Sequence, residues 1–374
     1  MASSNNSKII SDAHPHTVKK FELIETYIKS WAQKLMLTES CTGLVFIDCM
    51  CNSGVYKNNN KEIVYGTPIR VAKALLDVAR RYPEKQVQLY LNDYIEAKIE
   101  ELKKHLPSNE RNFQVVTTVY EGNELLKWIG PQLNQNSHMH FFLLYDPYDA
   151  SIDWDALLPF FRHWGEVLIN HMISDSIRAI PQVKRDNKKK KYENTYRVSD
   201  ISELVPYGND KASYEKRLLE IINLMKGSSR RKYHVATFPF FNTKNAMVYD
   251  LVHCTSHEAG FKLFKSTAWK TFGDKSSSKN RHGNEEQLVL DFFNEGCCST
   301  IVDEYCYNLH NIASYVQENF KGREDIPLED IWALLDAHPV FPSYGYKTEI
   351  KRILKKDYDA KVSTNTVSFA DRRG

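Results

Sequence analysis

One stretch, Phe141-Phe142-Leu143-Leu144-Tyr145-Asp146-Pro147-Tyr148-Asp149, limits most tightly what this chain can fold into. An unbroken apolar run, rather than an alternating one, marks a strand covered on both faces, as in a parallel sheet. Pro147 cannot donate a ladder hydrogen bond and holds Asp146 away from helical dihedrals. The strand therefore ends there, with a carboxylate and an aromatic ring beyond its carboxyl edge. In open α/β sheets that edge is where ligands bind. Taken alone, the tripeptide reads equally as a plain turn.

The pattern recurs along the chain. Leu44-Val45-Phe46-Ile47 ends in Asp48, and residues 86–91 end in Asn92-Asp93. Residues 113–119 run out near Gly122-Asn123, and a fifth run is Glu166-Val167-Leu168-Ile169-Asn170. Helix-patterned segments lie between them, such as 69–76 behind Thr67-Pro68, where the proline's fixed φ suits a first turn. Strands alternating with helices predict a doubly wound α/β sheet. One edge of it is expected to gather Asp48, Asp93, Asn123 and Asp146. Residues 233–241 and 246–255 predict an antiparallel hairpin at the far end of the sheet.

At 374 residues the chain exceeds one ordinary core. The expected division is a flexible tail over 1–15, an α/β domain over 16–275 with a basic insertion at 181–210, and a mostly helical domain over 285–374. The insertion carries Lys184, Arg185, Lys188, Lys189, Lys190 and Lys191, with Tyr192 and Tyr196 interleaved. It reads as a solvated loop or as a phosphate-tracking segment with rings to stack on bases. In the last domain, helical patterns at 286–294, 302–318 and 327–337 precede a Pro-Gly turn, a basic helix over 346–357 and a β-arm. That is the order of a winged helix-turn-helix. Lys347, Lys351 and Lys355 form one stripe on its basic helix.

A net charge of +3 excludes a global polyanion-binding surface, so any such surface is local. Seven cysteines with no Cys-x-x-Cys pair argue for reduced thiols and against a zinc site. No segment has signal-peptide or membrane-span character, so a cytoplasmic protein with no membrane role is expected.

The acid after the second strand, Asp93, stands where a ribose diol is bound in such sheets. Asn52-Ser53-Gly54 offers a small first-turn loop, but no Gly-x-Gly-x-x-Gly, which argues against a pyrophosphate. An adenosine cofactor without one fits, with S-adenosyl-L-methionine leading. Asp48, Asn52, Gly54 and Asp93 would hold it, and Asn123 would meet the adenine edge. Asp146, Pro147 and Tyr148 would present an acceptor and a stacking ring to an exocyclic amine on a flipped or single-stranded base. His14, His16, Lys19 and Lys20, at a helix start where the dipole does not favour cations, read as a solvated terminus or as an arm closing over the site.

His16-Thr17-x-x-Lys20 with Tyr27 and Trp31, Phe46-Ile47-Asp48 with Gly54, Gly66-Thr67-Pro68, Asn92-Asp93, Asp146-Pro147-Tyr148 and Ile169-Asn170 together resemble the three-Cys-motif partner proteins. The resemblance runs along nearly the whole chain, including the C-terminal segment. It implies a Rossmann-like methyltransferase fold, and a partner that is a radical-SAM-like protein and carries the cysteines of the name. This chain has Cys49-Met50-Cys51-Asn52-Ser53-Gly54 where that family has Phe-Ala-Gly-x-Gly, and Asp149 where a Gly often follows.

The leading expectation is a methyltransferase acting on a tRNA or DNA base. Its substrate contacts would come from His16, Lys20, Thr67, Lys188, Lys189, Lys347, Lys351 and Lys355. Two alternatives are a non-catalytic partner subunit of a radical-SAM-like enzyme, and a nucleic-acid processing or phage-defence factor with Mg²⁺ on Asp48, Asp93 and Asp146.

Overall fold

The computed structural model describes residues 8–133, 138–161, 164–180, 186–207, 211–227, 233–279 and 305–369. The chain opens with β1 (Ser11–Asp12) and α1 (Pro15–Met36), followed by β2 (Gly43–Asp48) and the hairpin β3 (Val55–Lys57) and β4 (Ile63–Tyr65). Then come α2 (Thr67–Arg81), β5 (Gln86–Asn92), α3 (Glu96–Lys103), β6 (Phe113–Thr118), α4 (Gly122–Leu133) and β7 (Met139–Tyr145). A short α5 (Trp154–Leu157) leads to β8 (Gly165–His171), α6 (Ile173–Ala179), α7 (Asp186–Tyr196), α8 (Lys211–Gly227), β9 (His234–Phe241), β10 (Met247–Thr255) and α9 (Glu258–Phe272).

The main sheet has the order β6-β5-β2-β7-β8-β10-β9. Its first five strands are parallel; β10 runs antiparallel to both β8 and β9. The chain winds outward from β2 through β5 to β6, then returns to the other side of β2 with β7. The direction of winding therefore reverses between β2 and β7, the place where doubly wound sheets open a crevice. This is the expected Rossmann-like sheet.

Strand pleating explains the two layers. From β2 and β7, Leu44, Phe46, Phe142 and Leu144 enter the core beneath α1, α2 and α9. Their neighbours Val45, Ile47, Phe141, Leu143 and Tyr145 enter the opposite core with Leu126, Trp154 and Ile221. On α1, Phe21, Ile24, Ile28 and Trp31 are all buried.

Three expectations need correction. The tail is not free through residue 15. Ser11 and Asp12 pair in parallel with Tyr56 and Lys57, Ala13 is buried and donates to the Lys57 carbonyl at 2.7 Å, and Pro15 opens α1. Within 181–210, α7 is a helix rather than a solvated loop. Its apolar end is the reason: Tyr196 is fully buried and bonded to Ser176 at 2.6 Å and His171 at 3.1 Å. Residues 181–185, including Lys184 and Arg185, lie outside the described residues. The helix expected over 302–318 starts later, at α10 (Leu309–Phe320), because Asn308 closes a capping box with Asn311. The pattern at 286–294 lies outside the described residues.

After α10 come β11 (Ile326–Pro327), α11 (Leu328–Ala337), α12 (Lys347–Asp357), β12 (Lys361–Val362) and β13 (Thr366–Ser368), with the sheet order β11-β13-β12. Their apolar residues continue the α1/α9 core. Trp269 of α9 donates to the Val340 carbonyl at 2.9 Å, and Tyr346 donates to Asp274 at 2.7 Å. The buried Lys265 ammonium meets the carbonyls of Leu335, Asp336 and His338 at 2.9, 3.1 and 2.7 Å, capping α11. Among the described residues, no helix is long and apolar enough to cross a membrane.

Candidate functional site

The sheet's carboxyl edge carries three acids on adjacent strands. In register, Asp48 lies opposite Leu91 of β5 and Leu144 of β7, so Asp93 and Asp146 each follow just beyond it. Asp48 and Asp93 are buried, with exposures of 2% and 0%.

Asp146 is clamped from two elements. Lys20 of α1 donates to Oδ2 at 2.7 Å, and Asn170 of β8 donates to Oδ1 at 2.5 Å. The Lys20 ammonium also lies 5.1 Å from the centre of the Tyr249 ring, a cation–π distance. The Tyr249 hydroxyl donates to the His16 carbonyl at 3.0 Å, which fixes the start of α1 on the sheet. The His16 imidazole packs on His14 and Tyr249. Burial, followed by the charge of His14, lowers its pKa to about 4. Of the two lysines at the helix start, Lys20 is thus held by Asp146, while Lys19 donates to the Thr271 carbonyl at 3.1 Å.

Asp93 is the second hub. Its Oδ2 accepts from the backbone N–H of Asn52 at 3.0 Å and from the Tyr148 hydroxyl, and its Oδ1 accepts from Ile95 N–H at 2.9 Å. Lys98, almost wholly buried, places its ammonium 3.9 Å from Asp93, 3.4 Å from the Tyr148 oxygen and 4.9 Å from the centre of that ring. Tyr148 stays half exposed and meets Tyr94 edge-on at 5.5 Å.

Among the described residues, Asp48 accepts only from the Met50 N–H, at 3.2 Å. Burial, and next the Asp146 charge, raise its carboxyl to about pH 8. The Tyr56 hydroxyl is raised too, first by burial and then by Asp146 and Asp48, so this ring from β3 sees the same acids. Between Asp48 and Tyr56 the chain turns sharply, with Asn52 at φ 59° and Gly54 at φ 65°. A Cβ at Gly54 would also lie 2.9–3.0 Å from Leu102, Ile69 and Pro68, so glycine is required there. Gly66 answers a different need: a Cβ would sit 2.4 Å from the Tyr56 ring.

The structure thus brings Asp48, Asn52, Gly54, Asp93, Asp146, Pro147, Tyr148, His16 and Lys20 to one edge. Asn123 sits at the start of α4, one step removed. Its Oδ1 accepts from Tyr145 at 3.0 Å and its Nδ2 faces Glu121 at 3.3 Å. Thr67 is buried in the first turn of α2. Lys188 and Lys189 lie on α7, which is tied to the loop after Tyr148 by Lys191–Asp149 at 3.2 Å and Thr195–Ile152 N–H at 2.9 Å. Lys347, Lys351 and Lys355 lie on α12, away from the acid cluster, with Lys347 over the Trp332 ring at 5.2 Å.

Sequence reading passed over Lys98 and gave Asn92 and Asn170 no role. Asn92 bonds the Cys49 and Tyr120 carbonyls and accepts from Thr118 and Tyr120, locking three strand ends together. A buried asparagine next to Asp93 was the available signal; nothing local marked Lys98, which reads as an ordinary helix lysine. Among the described residues, no group of three or more His, Cys, Asp or Glu side chains is arranged to hold a metal ion.

A buried carboxylate at the ribose position, a compact positive-φ turn beside it and a second carboxylate across the crevice fit an adenosine ligand.

No family model matches this chain, and no curated protein matches it. Among solved structures it is similar to a Legionella pneumophila protein of family model DUF519, at 12% identity and TM-score 0.40, covering 69% of this chain and 94% of that one. It is also similar to human methyltransferase-like protein 13 in complex with SAH, at 9% identity and TM-score 0.32, covering 74% and 99%. A loganic acid methyltransferase with SAH is similar at 10% identity and TM-score 0.27, covering 70% and 87%.

Proposed function

We propose that this protein is an S-adenosyl-L-methionine-dependent methyltransferase acting on an exocyclic amine of a nucleic-acid base. The observation carrying the proposal is the convergence of Asp48, Asp93 and Asp146 where the winding reverses, with Asp146 held by Lys20 and Asn170. The neighbours named above include proteins whose structures hold SAH, in keeping with this reading.

When bound, S-adenosylmethionine supplies an electrophilic methyl group. Asp93 would take the ribose diol, the Asn52–Gly54 turn would let backbone approach the ligand closely, and Asn123 would serve the adenine edge. Asp146 would accept a hydrogen bond from the acceptor N–H and so orient the nitrogen for attack. Lys20 and Asn170 hold that carboxylate in one rotamer. Tyr148 offers its ring to the base plane. Lys188 and Lys189, on the helix tied to the same loop, and Lys347, Lys351 and Lys355 on α12 take backbone phosphates. The α10–β13 order supports a winged-helix reading of the C-terminal module.

Calorimetric titration of the full chain with S-adenosylhomocysteine tests the cofactor. Transfer of labelled methyl to tRNA and to DNA tests the substrate. Absence of binding ends the proposal. Binding without transfer to either polymer moves the protein to the non-catalytic partner class.

A further inference from the structure

We infer that Tyr148 is a placeholder for the cofactor's ribose, so that cofactor binding itself releases the base-stacking ring. The inference rests on the cofactor reading above. Asp93 is wholly buried, and one of its oxygens already serves the Asn52 N–H at 3.0 Å. The Tyr148 hydroxyl donates to that same oxygen. Each donor to a buried carboxylate offsets part of its desolvation, and the Tyr148 hydroxyl adds to what the Asn52 and Ile95 N–H groups supply. Lys98 steadies that hydroxyl, with its ammonium 3.4 Å from the Tyr148 oxygen and 4.9 Å from the ring centre.

A ribose hydroxyl and the Tyr148 hydroxyl would compete for the same Asp93 oxygen. The Tyr148 ring is half exposed and its only described aromatic contact is the edge-on one with Tyr94, so little packing resists its departure. A ribose diol offers Asp93 two hydroxyl donors in place of one. Once displaced, Tyr148 is two residues from Asp146, beside the acceptor position. The consequence is an order of events: cofactor first, base second.

The test compares wild type with Tyr148→Phe by calorimetry, with S-adenosylhomocysteine as ligand. Phenylalanine keeps the ring and removes the competing donor, so the variant is expected to bind at least about threefold more tightly. A second measurement needs no variant. Tetranitromethane nitration of wild type, mapped by peptide mass spectrometry, is expected to rise at Tyr148 when S-adenosylhomocysteine is present. Equal or weaker binding by a folded Tyr148→Phe protein, or nitration of Tyr148 unchanged or reduced by ligand, overturns the inference and leaves the cofactor reading standing. If neither protein binds the ligand, both fall.

Discussion

Lys20 of the first helix places its ammonium 2.7 Å from the carboxylate of Asp146, 126 residues further along the chain. The Lys20 side chain is 9% exposed and that of Asp146 28%, so the pair lies between a surface bridge and a buried one. Lys20→Met is expected to cost about 1–2 kcal/mol of stability, between the values typical of those classes. Methyl transfer should fall about 100-fold, as expected when an orienting group loses its partner. Thermal melts and single-turnover rates read the two effects separately.

Asp93→Ala removes the acceptor of Asn52 N–H, Ile95 N–H and the Tyr148 hydroxyl together. Affinity for S-adenosylhomocysteine should fall at least about tenfold, equivalent to 1.4 kcal/mol. Melting temperature should fall as well, because the turn into α3 loses its side-chain bond. Calorimetry and a melt on the same sample check both.

Asp48 carries a pH signature. Its carboxyl is raised from 3.8 to about 8 in the folded protein, so between those values the folded state binds more protons than the unfolded one. Its contribution to stability therefore declines as pH rises through that window. Asp146 and Asp93 reinforce the shift, while Lys20 and the Met50 N–H oppose it. For Asp48→Asn, the melting temperature relative to wild type should climb steadily from about pH 5 to about pH 8. A difference that does not change with pH excludes this titration.

Lys265→Met leaves three carbonyls at the end of α11 without their shared donor. A loss of about 2 kcal/mol is expected, the cost of leaving buried carbonyls without their donor. Denaturant unfolding measures it, and limited proteolysis should cut the α10–β13 region sooner than in wild type.

On α12, Lys351→Glu with Lys355→Glu should weaken nucleic-acid binding by about tenfold or more, and lower the slope of log K against log salt by about 2. Binding isotherms at several salt concentrations decide this. An unchanged slope removes α12 from the interface.

Much of this was readable one segment at a time. Unbroken apolar runs ending in acids marked β2 and β7, because a strand buried on both faces leaves no room for polar residues until it reaches the sheet edge. Asp48 and Asp146 were visible for the same reason. Proline and glycine at Thr67-Pro68 and Gly54 marked local backbone demands, which are written residue by residue. The tail was misjudged because the pairing of Ser11 and Asp12 depends on a hairpin more than forty residues away, and short polar strands leave no pattern. The helix at Lys188–Lys191 was hidden by its charge; its stability comes from Thr195 and Tyr196 packing on distant elements.

By itself, the sequence determined the strands of the main sheet, their polar ends and the fold class, since burial periodicity and turn chemistry are local. Only the tertiary structure decided the partners: Lys20 and Asn170 on Asp146, and Tyr148 and Lys98 on Asp93. Those contacts depend on strand order and helix docking, which bring together side chains that have no neighbourhood along the chain.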